Sequence, residues 1–184
     1  MIGVLVSGTG TNLQALLDAG LPVSAVASNT AGVQALERAG RASVPAAVFP
    51  EDDYADRADR DEAMADWLDE YRVELAVCAG YMQLLSRGFL GRFPCINVHP
   101  SLLPAYPGLD AVAQALEDGA TETGVTVHFL DEGVDTGPVI VQEPVSIEPG
   151  DTVESLHARL HAVEHRLLPE AVGLYLAGAI SSQP

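Results

Sequence analysis

The stretch IGVLVSGTGTNLQALLDAG, from Ile2 to Gly20, contains the patterns of a strand, a glycine-rich turn and a helix in immediate succession. The apolar run Ile2–Val6 is typical of a buried strand, and the leucines after the turn recur at helical spacing. A glycine directly after the last helical residues favours a helix end at Gly20. A buried strand that leads directly into a helix is the building block of α/β folds with a parallel sheet.

Strands and helices go on alternating for about the first 120 residues. Apolar runs predict strands at 23–29, 44–49, 75–80 and 94–99. Helices are predicted at 31–40, closed by Gly40, at 56–71, at 86–92, and at 107–119, opened by Pro107. We therefore predict an α/β fold with a single-domain, doubly wound, mostly parallel twisted sheet, Rossmann-like, with helices on both faces. In such sheets ligands bind outside the carboxyl ends of the strands.

Two later segments, 123–130 and 138–147, alternate apolar and polar residues, which predicts two further strands with the late strand antiparallel. A long helix follows at 151–178. Asp151 is its expected N-cap, with Glu154 in the capping-box position. Pro169 is expected to kink or locally interrupt this helix, because proline lacks a backbone donor.

The composition indicates a cytoplasmic protein. Hydrophobic residues make up 48% of the 184-residue chain, and no apolar run reaches the roughly 18 residues of a membrane span. The N-terminus has no basic region before its first apolar run, so no signal peptide is expected. The two cysteines, Cys78 and Cys95, lie in apolar segments and are predicted to be buried free thiols.

The net charge is −17, and all 9 basic residues are arginine. An acidic chain is a poor partner for nucleic acid, whose binding needs a basic face. We interpret the charge as a solvated acidic surface adapted to the host, and we expect a monomer or homodimer. An anionic substrate would need local positive groups to overcome the general field.

The turn SGTGTN, which links the first strand and first helix, has the composition of a phosphate site. Glycines let the backbone approach a ligand, and a helix N-terminus offers unpaired N–H groups. The turn lacks the third glycine of a dinucleotide fingerprint and the lysine of a P-loop, so a single phosphate monoester fits best. Arg57 is a candidate for additional positive charge. The alternative is a plain tight turn capped by Thr11 or Asn12.

The stretch NVHPSLLP places Asn97 and His99 two residues apart at a predicted strand end, where both point to the same side. Asp135, in the loop DEGVDTGP, lies opposite them if both loops share one sheet edge. These types suit acyl transfer to an amine: amide and imidazole stabilise an oxyanion, and a carboxylate assists the proton. The alternative is a turn aspartate and a core histidine.

Five motifs together are similar to those of the folate-dependent phosphoribosylglycinamide formyltransferases. In chain order they are VSGTGTNLQALL, AGYMQLLS, NVHPSLLPAYPG, TVHFLDEGVDTGPVIVQE and VEHRLLP. The resemblance spans Ile2 to about Ala177. It implies transfer of a formyl group from 10-formyltetrahydrofolate to the primary amine of glycinamide ribonucleotide, with no metal.

The resemblance also implies site residues. It assigns the phosphate turn to Gly8, Thr9, Gly10, Thr11 and Asn12, the catalytic set to Asn97, His99 and Asp135, and the ribose hydroxyls of the nucleotide to Glu164. We expect His161, which lies beside Glu164 on the last helix, to face the nucleotide as well. It assigns the folate pocket to Met82, Gln83, Leu84, Leu85, Val125, Val127, His128, Leu130, Asp131 and Asp135. The chain departs from relatives at Gln83, where many carry an arginine near the folate tail, and at Asp110 and Val112, where histidines are frequent.

The resemblance divides the predicted domain, 1–184, into a nucleotide-binding part at about 1–90, a folate and catalytic part at about 91–150, and the last helix. On that helix His157, His161 and His165 recur every four residues. Two adjacent histidines of such a stripe can chelate a metal, but the whole run spans more than two turns and cannot converge on one ion. We interpret it as a solvated or substrate-facing stripe.

Other functions remain open from the sequence alone. A deformylase of the same folate usually has an extra N-terminal domain, and a methionyl-tRNA formyltransferase has a basic C-terminal one. A sugar-nucleotide N-formyltransferase fits the monophosphate-type turn less well. From a different class, the protein could be a non-catalytic folate or nucleotide binder, against which the intact set of Asn97, His99 and Asp135 argues.

Overall fold

The computed structural model describes residues 1–181, which form seven strands, six α-helices and one short 3-10 helix at Glu51–Asp53. The strands are β1 Ile2–Val6, β2 Val23–Ser28, β3 Ala46–Val48, β4 Leu75–Cys78, β5 Cys95–His99, β6 Glu122–Phe129 and β7 Val139–Ser146. The helices are α1 Thr11–Asp18, α2 Gln34–Arg41, α3 Arg57–Glu70, α4 Arg87–Arg92, α5 Ala111–Glu117 and α6 Val153–Leu176.

The strands form one sheet in the order β3-β2-β1-β4-β5-β6-β7. β1 pairs in parallel with β2 and β4, β2 pairs in parallel with β3, and β6 pairs antiparallel with β7. The predicted α/β fold, mostly parallel with an antiparallel late strand, is confirmed. The chain forms two compact units, Met1–Ile96 and Asn97–Pro184, and the single domain over 1–184 stays a prediction.

The first unit is built around β1, all of whose residues are buried. A parallel strand between two neighbours is covered on both faces, which explains its unbroken apolar sequence. α1 buries Leu13 and Leu16, and Gly20 follows it at a φ of 69°, as predicted for a helix end.

The prediction that Gly40 ends the second helix is wrong. α2 continues to Arg41, and Ser43 rather than Gly40 takes the left-handed conformation, at a φ of 57°. Gly40 is exposed, and a side chain there would meet nothing within 4 Å. An exposed glycine weakens a helix by about 1 kcal/mol but does not have to stop it.

The predicted free thiols are confirmed, since Cys78 and Cys95 are both unpaired and buried. Burial, with a smaller contribution from the charge of Asp61, raises the pKa of the Cys78 thiol to about 12. Burial likewise raises the pKa of Cys95 well above its ordinary value. A thiol held in its neutral form is a packing residue rather than a nucleophile.

In the second unit, β6 is almost entirely buried whereas β7 is largely exposed. The helix predicted from Pro107 begins only at Ala111, so Pro107 does not open it. The physical reason is the backbone just before α5: Gly108 and Asp110 have φ values of 80° and 60°, which no right-handed helix contains.

The start of α6 differs from the prediction. Thr152, not Asp151, is the N-cap, and it forms a capping box with Ser155 rather than with Glu154. Asp151 instead accepts hydrogen bonds from Ser155 Oγ at 2.7 Å and from the guanidinium of Arg159. This pairing draws Asp151 away from the helix end, so the neighbouring threonine takes the cap.

Pro169 does not interrupt α6, which runs as one helix from Val153 to Leu176. Leu167, Leu168, Ala171 and Val172 around it are buried. Burial of this face outweighs the single backbone bond that a proline removes. Within residues 1–181 no helix combines the length and the apolarity needed to cross a membrane.

Candidate active site

The end of β5 carries Asn97 and His99, and the structure brings both to Asp135. Asn97 Nδ2 donates a long hydrogen bond of 3.4 Å to Asp135 Oδ1, and His99 Nδ1 lies 3.4 Å from Asp135 Oδ2. The alternation of a strand explains why the two side chains share one side while Val98 points away. Their predicted catalytic role stays a prediction.

Asp135 lies in the loop between β6 and β7 with a φ of 54°. Its Oδ2 accepts a hydrogen bond of 2.7 Å from the N–H of Gly108. Asp131 organises the same loop, since its Oδ1 accepts from Gly133 N at 3.0 Å and from Thr136 Oγ1 at 2.6 Å. The carboxylate of Asp135 is therefore fixed in place by the Gly108 N–H, in a loop that Asp131 holds together.

His128, which the sequence analysis assigned to the folate pocket, is the fourth member of this cluster. It is fully buried, and its Nδ1 donates to the carbonyl oxygen of Phe129 at 2.9 Å. Its Nε2 lies 3.2 Å from Asn97 Nδ2 and 3.4 Å from Asp135 Oδ1. A neutral His128 therefore accepts from Asn97, whereas a charged one donates to Asp135.

His99 is 5% exposed, and both of its ring nitrogens face acceptors. Nε2 donates to the carbonyl oxygen of Tyr106 at 2.7 Å, and Nδ1 faces Asp135. A ring between two acceptors satisfies both contacts only when both nitrogens carry a proton. The geometry thus suits His99 as a charged hydrogen-bond donor.

The carboxyl of Asp135 has its pKa set by opposing effects. Burial raises this pKa, but hydrogen bonds to His128 and to the Gly108 N–H, together with the charges of His99 and His128, lower it below its ordinary value. Asp135 is therefore an anion throughout the neutral pH range. A fixed anion beside two imidazoles can stabilise positive charge on them and attract a proton released nearby.

The loop after β5 is fixed by Thr126, a buried residue of β6. Thr126 Oγ1 donates to the carbonyl oxygen of Ser101 at 2.6 Å and accepts from Leu103 N at 3.1 Å. Gln142 Nε2 adds a bond of 3.0 Å to the carbonyl oxygen of Leu103. These bonds hold the loop that carries the Tyr106 carbonyl, the acceptor of His99.

In the first unit, the glycine-rich turn leads from β1 into α1 with Gly10 as the N-cap. Gly10, which has no side chain, holds the cap position, so the alternative of a turn capped by Thr11 or Asn12 is wrong. Gly10 has a φ of 70°, and a Cβ there would lie 2.7 Å from Ala35 Cα. A helix start that lacks both a side-chain cap and an acidic residue keeps its N–H groups available for an anion.

A positive charge does contact this turn, but it comes from Arg38. Arg38 Nε donates to the carbonyl oxygen of Thr9 at 2.8 Å, and Nη1 donates to Gln14 Oε1 at 3.2 Å. Arg57, the predicted cation, is exposed on the first turn of α3, and its role stays a prediction. Sequence reasoning missed Arg38 because one arginine on an exposed-looking helix carries no signal.

The predicted folate residues differ in exposure. Met82 and Leu84 are 60% and 56% exposed, a large apolar surface outside regular structure. Gln83, Leu85 and Leu130 are half-buried and Asp131 is exposed, whereas Val125 and Val127 are fully buried. The assignment of these residues to a folate pocket stays a prediction.

On α6, Glu164 is 5% exposed, and its Oε2 lies 4.0 Å from His161 Nε2. The rings of His157 and His161 stack at 5.3 Å, and those of His161 and His165 at 6.1 Å. Among residues 1–181 no three histidine, cysteine or acidic side chains are grouped so that they could hold a metal. The stripe is a stacked column of rings.

A family model described as formyl transferase matches residues 1–172. The chain belongs to the formyl transferase family. The phosphoribosylglycinamide formyltransferase of Haemophilus influenzae is 40% identical over 97% of this chain and 88% of its own length. The enzyme of the same name from Bacillus subtilis is 37% identical over 92% of this chain and 91% of its own length.

Solved structures agree with the assignment to the formyl transferase family. Glycinamide ribonucleotide transformylase 1 from Symbiobacterium toebii is 48% identical, with a TM-score of 0.94, covering 96% of this chain and 87% of that one.

The trifunctional purine biosynthetic protein adenosine-3 of Chironomus tentans is 45% identical over 97% of this chain. The chain spans only 14% of that trifunctional protein's length.

Proposed function

We propose that this formyl transferase passes a formyl group from 10-formyltetrahydrofolate to the primary amine of glycinamide ribonucleotide, a step of purine biosynthesis. The observation that carries the proposal is the convergence of Asn97, His99 and Asp135 on one point of the second unit. The names of the relatives from Haemophilus influenzae and Symbiobacterium toebii support the choice of substrate.

The cluster supplies what attack of an amine on a formyl carbon requires. The carbonyl oxygen gains negative charge, the amine loses one proton, and the departing folate nitrogen gains one. Hydrogen-bond donors aimed at the developing oxyanion and a carboxylate near the amine lower the barrier of such a step. No serine or cysteine nucleophile is needed because the amine itself attacks.

We assign the oxyanion to Asn97 and His99. Asn97 has two amide hydrogens, and one of them faces His128 Nε2, with the two nitrogens 3.2 Å apart. The other hydrogen is offered to Asp135 over 3.4 Å, a long bond that an oxyanion can replace. His99 Nδ1 is similarly far from Asp135, so both donors can turn to a substrate at little cost.

Asp135 has two tasks in this mechanism. Its carboxylate faces His99 Nδ1 at 3.4 Å and so fixes the orientation of the imidazole ring. It also attracts the proton that the amine releases, which reaches the folate nitrogen directly or through water. Because its own pKa is lowered, Asp135 guides this proton without retaining it.

We test the assignment with purified protein, 10-formyltetrahydrofolate and glycinamide ribonucleotide, following the disappearance of the folate. Consumption should depend on the nucleotide and saturate with it. Consumption at the same rate without the nucleotide would indicate a deformylase. No consumption under either condition, despite measurable folate binding, would indicate a non-catalytic binder.

The phosphate turn is tested by Gly8→Ala. A Cβ at Gly8 meets no protein atom within 4 Å, so the free energy of unfolding should stay within about 0.5 kcal/mol. If a phosphate approaches the Gly8 backbone, the methyl group displaces it, and the nucleotide KM should rise about tenfold, or about 1.4 kcal/mol. Gly40→Ala, exposed on α2, is the matched control. An unchanged KM in Gly8→Ala would remove the phosphate from this turn.

Glu164→Ala tests the nucleotide face of α6. Loss of charge-assisted hydrogen bonds to the ribose hydroxyls should raise the nucleotide KM about 10- to 100-fold and leave the folate KM unchanged. Steady-state kinetics with each substrate varied in turn measures both values. The control is Glu170→Ala, an exposed glutamate of the same helix. Equal nucleotide KM values in the two variants would place Glu164 outside the site.

A further inference from the structure

A buried ion pair on α3 is used by no step of the mechanism above. Arg60 is 1% exposed and Asp61 is fully buried. Removing two charges from water is costly, and an apolar pair of similar size often gives a fold of equal or greater stability. A buried arginine and aspartate therefore need an explanation beyond the stability of the core.

Asp61 makes two kinds of contact with its two oxygens. Oδ1 accepts from Arg60 Nε at 3.0 Å and from Arg60 Nη2 at 2.7 Å. Oδ2 accepts from the backbone N–H of Ser86 at 2.5 Å. Ser86 is in turn the N-cap of α4, since its Oγ accepts from Phe89 N at 3.3 Å. One carboxylate thus joins α3 to the residue where α4 begins.

Arg60 uses its remaining donors on the residues just before Ser86. Nη2 donates to the carbonyl oxygen of Leu84 at 3.1 Å, and Nη1 donates to Gln83 Oε1 at 3.4 Å. The other end of this segment is held by the N–H of Met82, which donates to Ser7 Oγ at 2.8 Å. Among the residues that the structure describes, the hydrogen bonds that the pair makes outside α3 therefore all go to the segment 83–86.

We propose that Arg60 and Asp61 are positioning residues for folate binding. The inference rests on the proposed function, because Met82–Leu85 is the segment we assign to the folate. The segment has no helix or strand of its own, yet it exposes Met82 and Leu84. The buried pair holds its backbone so that these apolar side chains stay outside the core, ready for a ligand. A preformed pocket spares the ordering cost of binding.

The test uses Arg60→Lys, which keeps the positive charge for Asp61 but lacks the planar fork that reaches Leu84 and Gln83. The folate KM should rise about tenfold or more, with kcat within about threefold and the nucleotide KM unchanged. Arg92→Lys is the matched control, since Arg92 also bonds to α3, through Asp66 and Asp69, but is partly exposed. A proportional loss in all three kinetic parameters, or none, would overturn the proposal.

Hydrogen exchange supplies a second test that needs no turnover. In the wild-type protein without folate, the Ser86 amide should be strongly protected, because Asp61 accepts from it inside the core. Arg60→Lys should raise exchange across 82–86 while the amides of β1 and β4 keep their wild-type rates. Free exchange of Ser86 in the wild type would contradict the proposal.

The two hypotheses can fail separately. Calorimetric titration of wild type and Arg60→Lys with folate measures affinity without any formyl transfer. Weaker binding by the variant in a protein that transfers no formyl group would refute the proposed function and retain the positioning role. Normal transfer with equal affinity in both proteins would refute only the positioning role.

Discussion

Asp135→Asn is expected to lower kcat by roughly 10²–10⁴ while the protein stays folded. Asparagine has the same shape and can still accept from the Gly108 N–H, so the loop should keep its conformation. It has no charge to attract the proton that the amine releases. The measurement is kcat at saturating concentrations of both substrates, with Glu117→Gln, an exposed carboxylate of α5, as the control.

Asp135 also contributes to the free energy of unfolding in a pH-dependent way, because its pKa is lowered in the folded protein. A depressed folded-state pKa contributes stability that is present above the unfolded value of about 3.9 and is lost as pH falls through the folded value. The difference in unfolding free energy between wild type and Asp135→Asn should therefore shrink below about pH 4. The loss in kcat should persist across the neutral range, where Asp135 is always ionised. Near-wild-type kcat in the variant would remove Asp135 from the chemistry.

His99→Ala is expected to lower kcat by roughly 10²–10³, the cost of removing one oxyanion donor. His99 is held by Tyr106 and Asp135, so its loss also removes two contacts, and thermal unfolding must be measured alongside. His157→Ala on α6 is the matched control. A variant that folds normally and keeps its kcat would exclude His99 as a donor.

The strands, and the placement of Asn97 and His99 on one side of β5, could be predicted because they depend on local patterns. A run of buried residues marks β1, and a spacing of two on a strand places side chains on one side. Helix ends were harder, since Ser43 and Asp110 take positive φ values for which the sequence gives no strong signal. Asp151 does not cap α6, because its carboxylate accepts hydrogen bonds from Arg159, about two turns along the helix.

The burial of Arg60 and Asp61, and their contacts with the segment before α4, could not be predicted from the sequence. Both precede Met64, Ala65 and Leu68 at helical spacing, so they lie on the buried face of α3. Charged residues are almost never fully buried unless paired, and adjacent charges in a polar stretch suggest a solvated surface. Only the fold places Ser86 N and the Leu84 carbonyl oxygen where the pair can meet them.

His128 was predicted to lie in the folate pocket because it belongs to a motif of β6. That assignment stays a prediction. The structure adds two contacts with distant parts of the sequence, because His128 Nε2 lies 3.2 Å from Asn97 Nδ2 and 3.4 Å from Asp135 Oδ1. Alternation along β6 puts Thr126 and His128 on the same side, and this spacing was the available signal. The partners of both residues lie far away in the sequence.

The most direct test follows the formyl carbon itself. The protein is mixed with glycinamide ribonucleotide and 10-formyltetrahydrofolate carrying ¹³C in the formyl group, and the label is followed by NMR. We predict that the label moves to the amide formed on the glycinamide nitrogen, in equal amount to the tetrahydrofolate released. Label that accumulates as formate, with the nucleotide unchanged, would contradict the account.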